Sequence, residues 1–365
     1  MPYSPIGQSK WDLDTPALLL DLNKLENNIQ RMMSRCQKAN LNWRPHTKGS
    51  KTPAISHKLI QAGAIGITCA KLGEAEVMAA NGIRDILIAN QVVGAQKVAR
   101  LAHLQHQADV MVAVDHPVHI QTISEAAQAI GVKVRVLVEV DLGMHRCGAT
   151  PGKSVLELAQ MAEAAPGITF AGIMGYEGHV MALLDPEKEK ACQKAMAILS
   201  ETSDMLEGKG LKVGIVSTGG TGSLAFTPDQ AGITEIQAGG GIMMDTYYRD
   251  GLHVKGLEYA LTILTTVVSA SAPDRAVADA GRKTTSSQFS MPEVKDRTGI
   301  TVTGLSAEHV SFKLDASAKP LHIGDKLELI SGYSDMTVFL HDQIYGIRND
   351  KVEAVWDILA RNRRD

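Results

Sequence analysis

The sequence predicts an α/β fold in which a (β/α)8 barrel is joined to a second, mainly antiparallel β domain. Eight short apolar runs, at 41–46, 64–70, 85–90, 109–114, 134–140, 168–176, 212–217 and 235–238, are separated by helix-length stretches. That alternation is expected of parallel β-α units with short right-handed crossovers, and eight of them suit a closed barrel. Beyond about residue 256 the rhythm changes to short β-rich runs divided by turn residues, at 261–269, 275–280, 299–304, 309–314, 326–330, 336–340, 343–347 and 351–358. An open doubly wound sheet is the competing arrangement, but the first strand-helix turn carries no G-x-G-x-x-G.

Taken in order, 15–21 reads as a strand and 23–39 as an amphipathic helix with Leu25, Ile29, Met32, Met33 and Cys36 on one side. The opening strand is assigned to the second domain, so the barrel spans 22–255 and the β domain is built from 1–21 plus 256–365. A chain of 365 residues, 44% hydrophobic, can bury the core this needs. A net charge of -3 with interspersed signs and only 4% aromatic residues argues against a nucleic-acid partner and for a small molecule. No apolar run reaches membrane-spanning length and residues 1–10 have no apolar signal core, so the expectation is a cytoplasmic protein with no membrane partner. Cys36, Cys69, Cys147 and Cys192 form no C-x-x-C pair and are expected to be free, mostly buried thiols.

In a barrel of this kind the active site lies at the C-terminal ends of the strands. Those ends present His46 and Lys48; Lys71; Asn90 and Gln91; Asp115 and His116; Asp141, His145 and Arg146; Tyr176, Glu177 and His179; Ser217 to Gly222; and Gln237 with Gly239, Gly240 and Gly241. Lys48, in a tight turn between strand and helix, can form a Schiff base with an aldehyde cofactor, with Lys51 and Lys71 the next choices. The runs Ser217-Thr218-Gly219-Gly220-Thr221-Gly222 and Ala238-Gly239-Gly240-Gly241 follow the last two strands, where glycine backbone and hydroxyl donors suit a phosphate. A phosphate anchor opposite a lysine points to pyridoxal 5′-phosphate (PLP), the electron sink for a carbanion.

The motifs Arg44-Pro45-His46-Thr47-Lys48, Asp141-Leu142-Gly143-Met144-His145-Arg146-Cys147-Gly148, Gly175-Tyr176-Glu177-Gly178-His179, Ser217 to Gly222, Thr234 to Gly239 and Met244-Asp245-Thr246-Tyr247-Tyr248 resemble the D-threonine aldolase and D-serine dehydratase family. The likeness runs from about Leu13 to Trp356. It implies an alanine racemase-like fold, a homodimer, Lys48 as the Schiff-base lysine, Arg146 and Tyr176 beside the cofactor, Gln237 by its ring, and the glycine loops on its phosphate. It favours a lyase acting on D-3-hydroxy amino acids, with retro-aldol cleavage first. Dehydration of D-serine or D-3-hydroxyaspartate, amino-acid racemisation and non-catalytic PLP binding are the alternatives. His179 or a metal-bound oxygen is the expected base for a β-hydroxyl proton. The family's metal motif departs here: in Gly332-Tyr333-Ser334-Asp335 the carboxylate remains, but Tyr333 stands where the resemblance expects histidine. Asp335 is then the single expected metal ligand, and use of a divalent ion is left open.

Overall fold

In the computed structural model, which describes residues 4–365, the chain begins with β1 (Ala17–Asp21) and α1 (Leu22–Lys38) and then alternates strand and helix. The succession is β2 (Asn42–Trp43), α2 (Pro53–Gln61), β3 (Ile67–Cys69), α3 (Leu72–Ala80), β4 (Asp85–Ile88), α4 (Ala95–Leu104), β5 (Asp109–Val114), α5 (Pro117–Ile130), β6 (Val134–Glu139), α6 (Lys153–Ala164), β7 (Ile168–Met174), α7 (Glu187–Gly208), β8 (Ile215–Thr218) and β9 (Glu235–Ile236). After these come β10 (Leu261–Ala272), β11 (Arg275–Ala278), β12 (Glu293–Val294), β13 (Ile300–Leu305), β14 (Val310–Leu314), β15 (Lys326–Ile330), α8 (Ser334–Phe339), β16 (Gln343–Arg348) and β17 (Lys351–Asp357). The chain divides into two compact units: residues up to Arg31 with Gly49–Thr52 and Gly240–Arg361, and Met32–Lys48 with Pro53–Gly239 and Asn362–Asp365.

The second of these units is the barrel. Its eight strands are all parallel, in the order β2-β9-β8-β7-β6-β5-β4-β3. A bridge between His46 and Thr68 joins the two ends of that order, with Thr47 N–H on the Thr68 carbonyl at 2.8 Å and Thr68 N–H on the Pro45 carbonyl at 2.9 Å. Strands covered on both faces read as continuous apolar runs rather than alternating ones, and 110–114 of β5 is of that kind. Leu87, Met111, Ala113, Leu137 and Met174 from neighbouring strands form one buried cluster. The fold class expected from the sequence is the one observed.

The other unit is a mostly antiparallel sheet in the order β13-β14-β11-β10-β1-β16-β17, with β15 pairing β10 and β12. β1 lies between β10, antiparallel to it, and β16, parallel to it. Leu13, Ala17, Leu19, Leu264, Ile347 and Val352 pack together there.

Two local expectations fail in this unit. The run 336–340, which reads as a strand from its apolar alternation, belongs to helix α8. Its buried residues Ser334, Thr337 and Val338 follow helical spacing, and the N–H of Ser334 donates to the Asp245 carboxylate at 2.6 Å, a cap supplied from far along the chain. The two-residue β12 has no counterpart among the expected strands, because an element of that length leaves no period to read.

Candidate active site

The C-terminal mouth of the barrel gathers most of the residues singled out from the sequence. Lys48 leaves β2 through Thr47 and is exposed, and no hydrogen bond or ion pair engages its amine among the described residues. Its backbone N–H meets Nδ1 of His46 at 3.3 Å. His46 in turn donates its own N–H to the Gln237 carbonyl at 2.9 Å, tying the lysine turn to the end of β9. Gly239 must be glycine for that closeness: a Cβ there would stand 2.1 Å from the His46 carbonyl oxygen. Gln237 is buried and its Nε2 donates to Ser217 Oγ at 2.9 Å, so the amide is fixed against the end of β8.

The glycine turn after β8 is locked from below by a carboxylate. Glu177, fully buried, accepts from Thr218 Oγ1 at 3.2 Å, Ser223 Oγ at 2.5 Å and Thr227 Oγ1 at 2.9 Å. Three hydroxyls sharing one buried acceptor are satisfied only together, which holds Gly219–Ser223 in a single shape. Gly219 takes φ +89°, a left-handed conformation that starts the turn, and a Cβ on Gly220 would press on the Tyr176 ring at 3.0 Å. Thr221, Gly222 and Ser223 then form one turn of 3-10 helix. Sequence reasoning places Glu177 on the rim but gives it no role, and Thr227 carries no signal beyond its hydroxyl.

Arg146 lies on the opposite loop, exposed, with its guanidinium carbon 5.6 Å from the centroid of the Tyr176 ring. That loop is pinned by Asp141, which accepts from the N–H groups of Gly143 at 2.9 Å and His145 at 3.0 Å and from the His145 imidazole at 2.8 Å. Partial burial opposes ionisation of Asp141, yet these donors outweigh it and hold the carboxyl below the usual range. Gly148 N–H donates to Asp115 at 2.9 Å, fixing the loop's far side. The Gln91 amide joins Asp115, at 3.2 Å, to Glu139, at 2.5 Å. Burial pushes the Glu139 carboxyl up, with Asp115 adding repulsion and Gln91 opposing. Glu139 is absent from the residues expected at the site, although a glutamate that closes a strand after the apolar run Val136-Leu137-Val138 is a legible signal.

His179 sits in a single 3-10 turn, Gly178–Val180, and is exposed. It lines a cavity of about 560 Å³ with Asp141, Leu142, Gly143, His145 and Lys194. A Cβ on Gly143 would reach its Nε2 at 3.4 Å, so His179 borders the Arg146 loop. In the β-rich unit, Gly240 begins the turn Gly240–Ile242, and a Cβ on it would overlap the Tyr248 hydroxyl at 1.9 Å. Asp245 spends both oxygens on N–H groups, of Tyr248 at 2.7 Å and Ser334 at 2.6 Å, and burial pushes its carboxyl up to about 6. Tyr333 and Asp335 face each other across 3.2 Å, phenol to carboxylate.

The barrel's groups fit PLP: an exposed primary amine, a rigid glycine turn with hydroxyl donors, and an anchored amide at neighbouring strand ends. A divalent metal fares otherwise. Among the described residues no three His, Cys, Asp or Glu side chains converge as an ion would need.

Residues 20–246 match the family model described as alanine racemase, N-terminal domain, and 260–347 match that of a putative serine dehydratase domain. The chain is 36% identical to a D-threonine aldolase of Arthrobacter sp, covering 99% of this chain and 95% of that one. It is 37% identical to a 3-hydroxy-D-aspartate aldolase of Paracoccus denitrificans, covering 98% and 94%. The crystal structure of D-threonine aldolase from Filomicrobium marinum superposes with a TM-score of 0.96 at 34% identity, over 99% of this chain and 100% of that one. The D-threo-3-hydroxyaspartate dehydratase from Delftia sp. HT23 follows at TM-score 0.88 and 26% identity, covering 96% and 98%. A variant of that dehydratase is described in a metal-free form.

Proposed function

The chain belongs to the alanine racemase-like family that contains the D-threonine aldolases and serine dehydratases, and from that membership we propose that it is a PLP-dependent carbon–carbon lyase. Its reaction is retro-aldol cleavage of a D-3-hydroxy amino acid to glycine and an aldehyde. The observation that carries this reading is an exposed lysine after β2 and a glycine turn after β8 locked by Glu177, on strands that both flank β9, in a chain similar over its whole length to aldolases.

In this assignment Lys48 would hold the cofactor by its amine, Ser217 to Gly222 with Gly239 would receive the phosphate, and Gln237, its amide oriented by Ser217, would lie by the ring. When bound, PLP supplies an electron sink for the bond broken at Cα. The cleavage breaks Cα–Cβ, turns the β-carbinol into a carbonyl and leaves the bonding pair on Cα. The protein must therefore accept the β-hydroxyl proton and return a proton to Cα. His179 would take the first role and the Lys48 side chain the second. Arg146, with its guanidinium carbon 5.6 Å from the Tyr176 ring centroid, would supply positive charge for the substrate carboxylate. A homodimer is part of the proposal, checked by light scattering.

The test uses purified protein with D-threonine, D-serine and D-alanine. Acetaldehyde with glycine from D-threonine supports the aldolase; 2-oxobutanoate or pyruvate would make it a dehydratase, L-alanine a racemase, and no product with PLP still bound a cofactor carrier. Identities of 36% and 37% to aldolases, against 28% to the Delftia dehydratase, favour the first. Borohydride should fix the PLP chromophore on Lys48, and a Lys48→Ala protein that keeps the same absorbance would overturn the cofactor assignment.

A further inference from the structure

The Tyr333–Asp335 pair departs from what a metal centre needs. Tyr333 occupies the extended residue before α8, at φ -153° and ψ 113°, and its phenol donates to Asp335 Oδ2 at 3.2 Å. The other oxygen, Oδ1, is buried and has no hydrogen-bond partner among the described residues. It packs against Gly49, the residue after Lys48 in the chain, closely enough that a Cβ there would lie 2.5 Å from it. The carboxylate of Asp245 is already committed, since both its oxygens accept backbone N–H groups, at the start of α8 and at Tyr248. What remains for an ion is the Asp335 carboxylate, which belongs to no cluster of three or more His, Cys, Asp or Glu side chains among the described residues.

A phenol is not a substitute for the missing ligand. Its O–H is directed at the very carboxylate an ion would bind, so the phenol acts there as a donor and not as a ligand. Transition-metal sites draw their affinity from imidazole and thiolate donors, whereas carboxylate and water suit hard, weakly held cations. We infer that Tyr333 and Asp335 form a metal-free pair, in which the phenol O–H takes the place of a cation on the Asp335 carboxylate. The chain holds no zinc or manganese tightly at this position, and one residue, Tyr333, sets that outcome. The metal measurements stand apart from the proposed reaction; only the chelation arm rests on the aldolase reading.

The experiment begins with the native protein, purified without chelator, desalted and analysed for zinc, manganese, iron, cobalt, nickel and magnesium. The expected content is well below one equivalent of any of them, and calorimetric titration with Mn2+ or Zn2+ should give no tight saturable site. Tyr333→His should then bind one equivalent at least about tenfold more tightly than the native chain, as a second, softer donor joins Asp335. If acetaldehyde is formed from D-threonine, EDTA should leave its rate unchanged. About one equivalent of zinc or manganese in the native protein, absent from Asp335→Asn, would overturn the inference, and so would activity lost on chelation and restored by the ion. A folded Tyr333→His with no gain in affinity would overturn the single-residue claim. Should that variant not fold, the native metal content and its Asp335→Asn control decide alone.

Discussion

The two mouths of the barrel are built from the same strands and use charge in opposite ways. At the N-terminal mouth Arg44, only 2% exposed, sends Nε to both oxygens of Glu235 at 3.1 Å and Nη1 to Asp85 at 2.5 Å. Arg135 continues the network to Asp109 at 2.7 Å and Asp85 at 3.2 Å. Every charge in that network faces a partner inside the chain, and burial alone would lower the Arg44 pKa were it not overcome by Glu235 and Asp85. At the C-terminal mouth the cations Lys48 and Arg146 are exposed, and the buried carboxylates Glu139 and Glu177 are bound by neutral donors. One mouth has closed its electrostatics on itself; the other has left its cations available to a ligand.

That contrast can be broken from either side. The largest effect is expected at the closed mouth, where Arg44→Met leaves Glu235 buried without its counter-charge and should cost about 3–5 kcal/mol of stability. Urea denaturation measures it, and PLP affinity of the still-folded protein should stay within about twofold. If cofactor binding falls with stability, the two mouths are not independent. Glu177→Ala should act the other way round: three hydroxyls lose their common acceptor, at about 1–3 kcal/mol for one left unpaired, while Ser223 keeps the Gly220 carbonyl at 3.2 Å. Loosening the turn should weaken PLP retention by more than about tenfold, read by equilibrium dialysis.

A smaller effect concerns Glu139. Burial raises its folded pKa above the unfolded value of about 4.3, so the stability attached to its protonated form is fully present below that pH and is lost as pH rises through the folded pKa. Glu139→Gln, which keeps an acceptor for Gln91 and removes the repulsion from Asp115, should flatten the fall in stability above about pH 4.3. An unchanged pH profile in denaturation experiments would show that Glu139 does not carry the slope. The smallest effect is in thiol titration. Burial pushes Cys36 to about 11 and Cys192 to about 12, and Cys69 is fully buried, so only the half-buried Cys147 should react with a thiol reagent in the native state.

The sequence discloses the open mouth better than the closed one. Strand ends in a parallel barrel are read from periodicity, and a polar residue following an apolar run is visible without knowing what it touches, which is how Lys48, Arg146, Tyr176 and Gln237 stand out. Pairings across the barrel are not visible in that way. Arg44 stands four residues before Lys48 in one motif, yet it belongs to the opposite mouth, because its partners Glu235 and Asp85 come from strands distant in sequence. Glu177 and its three hydroxyls escape for the same reason. In the β-rich unit, α8 reads as a strand because its cap, Asp245, lies some ninety positions upstream.

The barrel is also uneven around its circumference. β5, β6 and β7 are 6, 6 and 7 residues long, whereas β2 and β9 have 2 each and β3 has 3. The short strands adjoin one another, and the last step between them is the single bridge at His46 and Thr68. A ring with one thin segment breathes there first, since local opening is cheapest where the fewest backbone hydrogen bonds must break. Amide protons of Thr47 and Thr68 should therefore exchange with solvent well before those of Val112 or Val136. The residue carried on that thin arc is Lys48, so backbone opening there would move the amine before any other part of the ring.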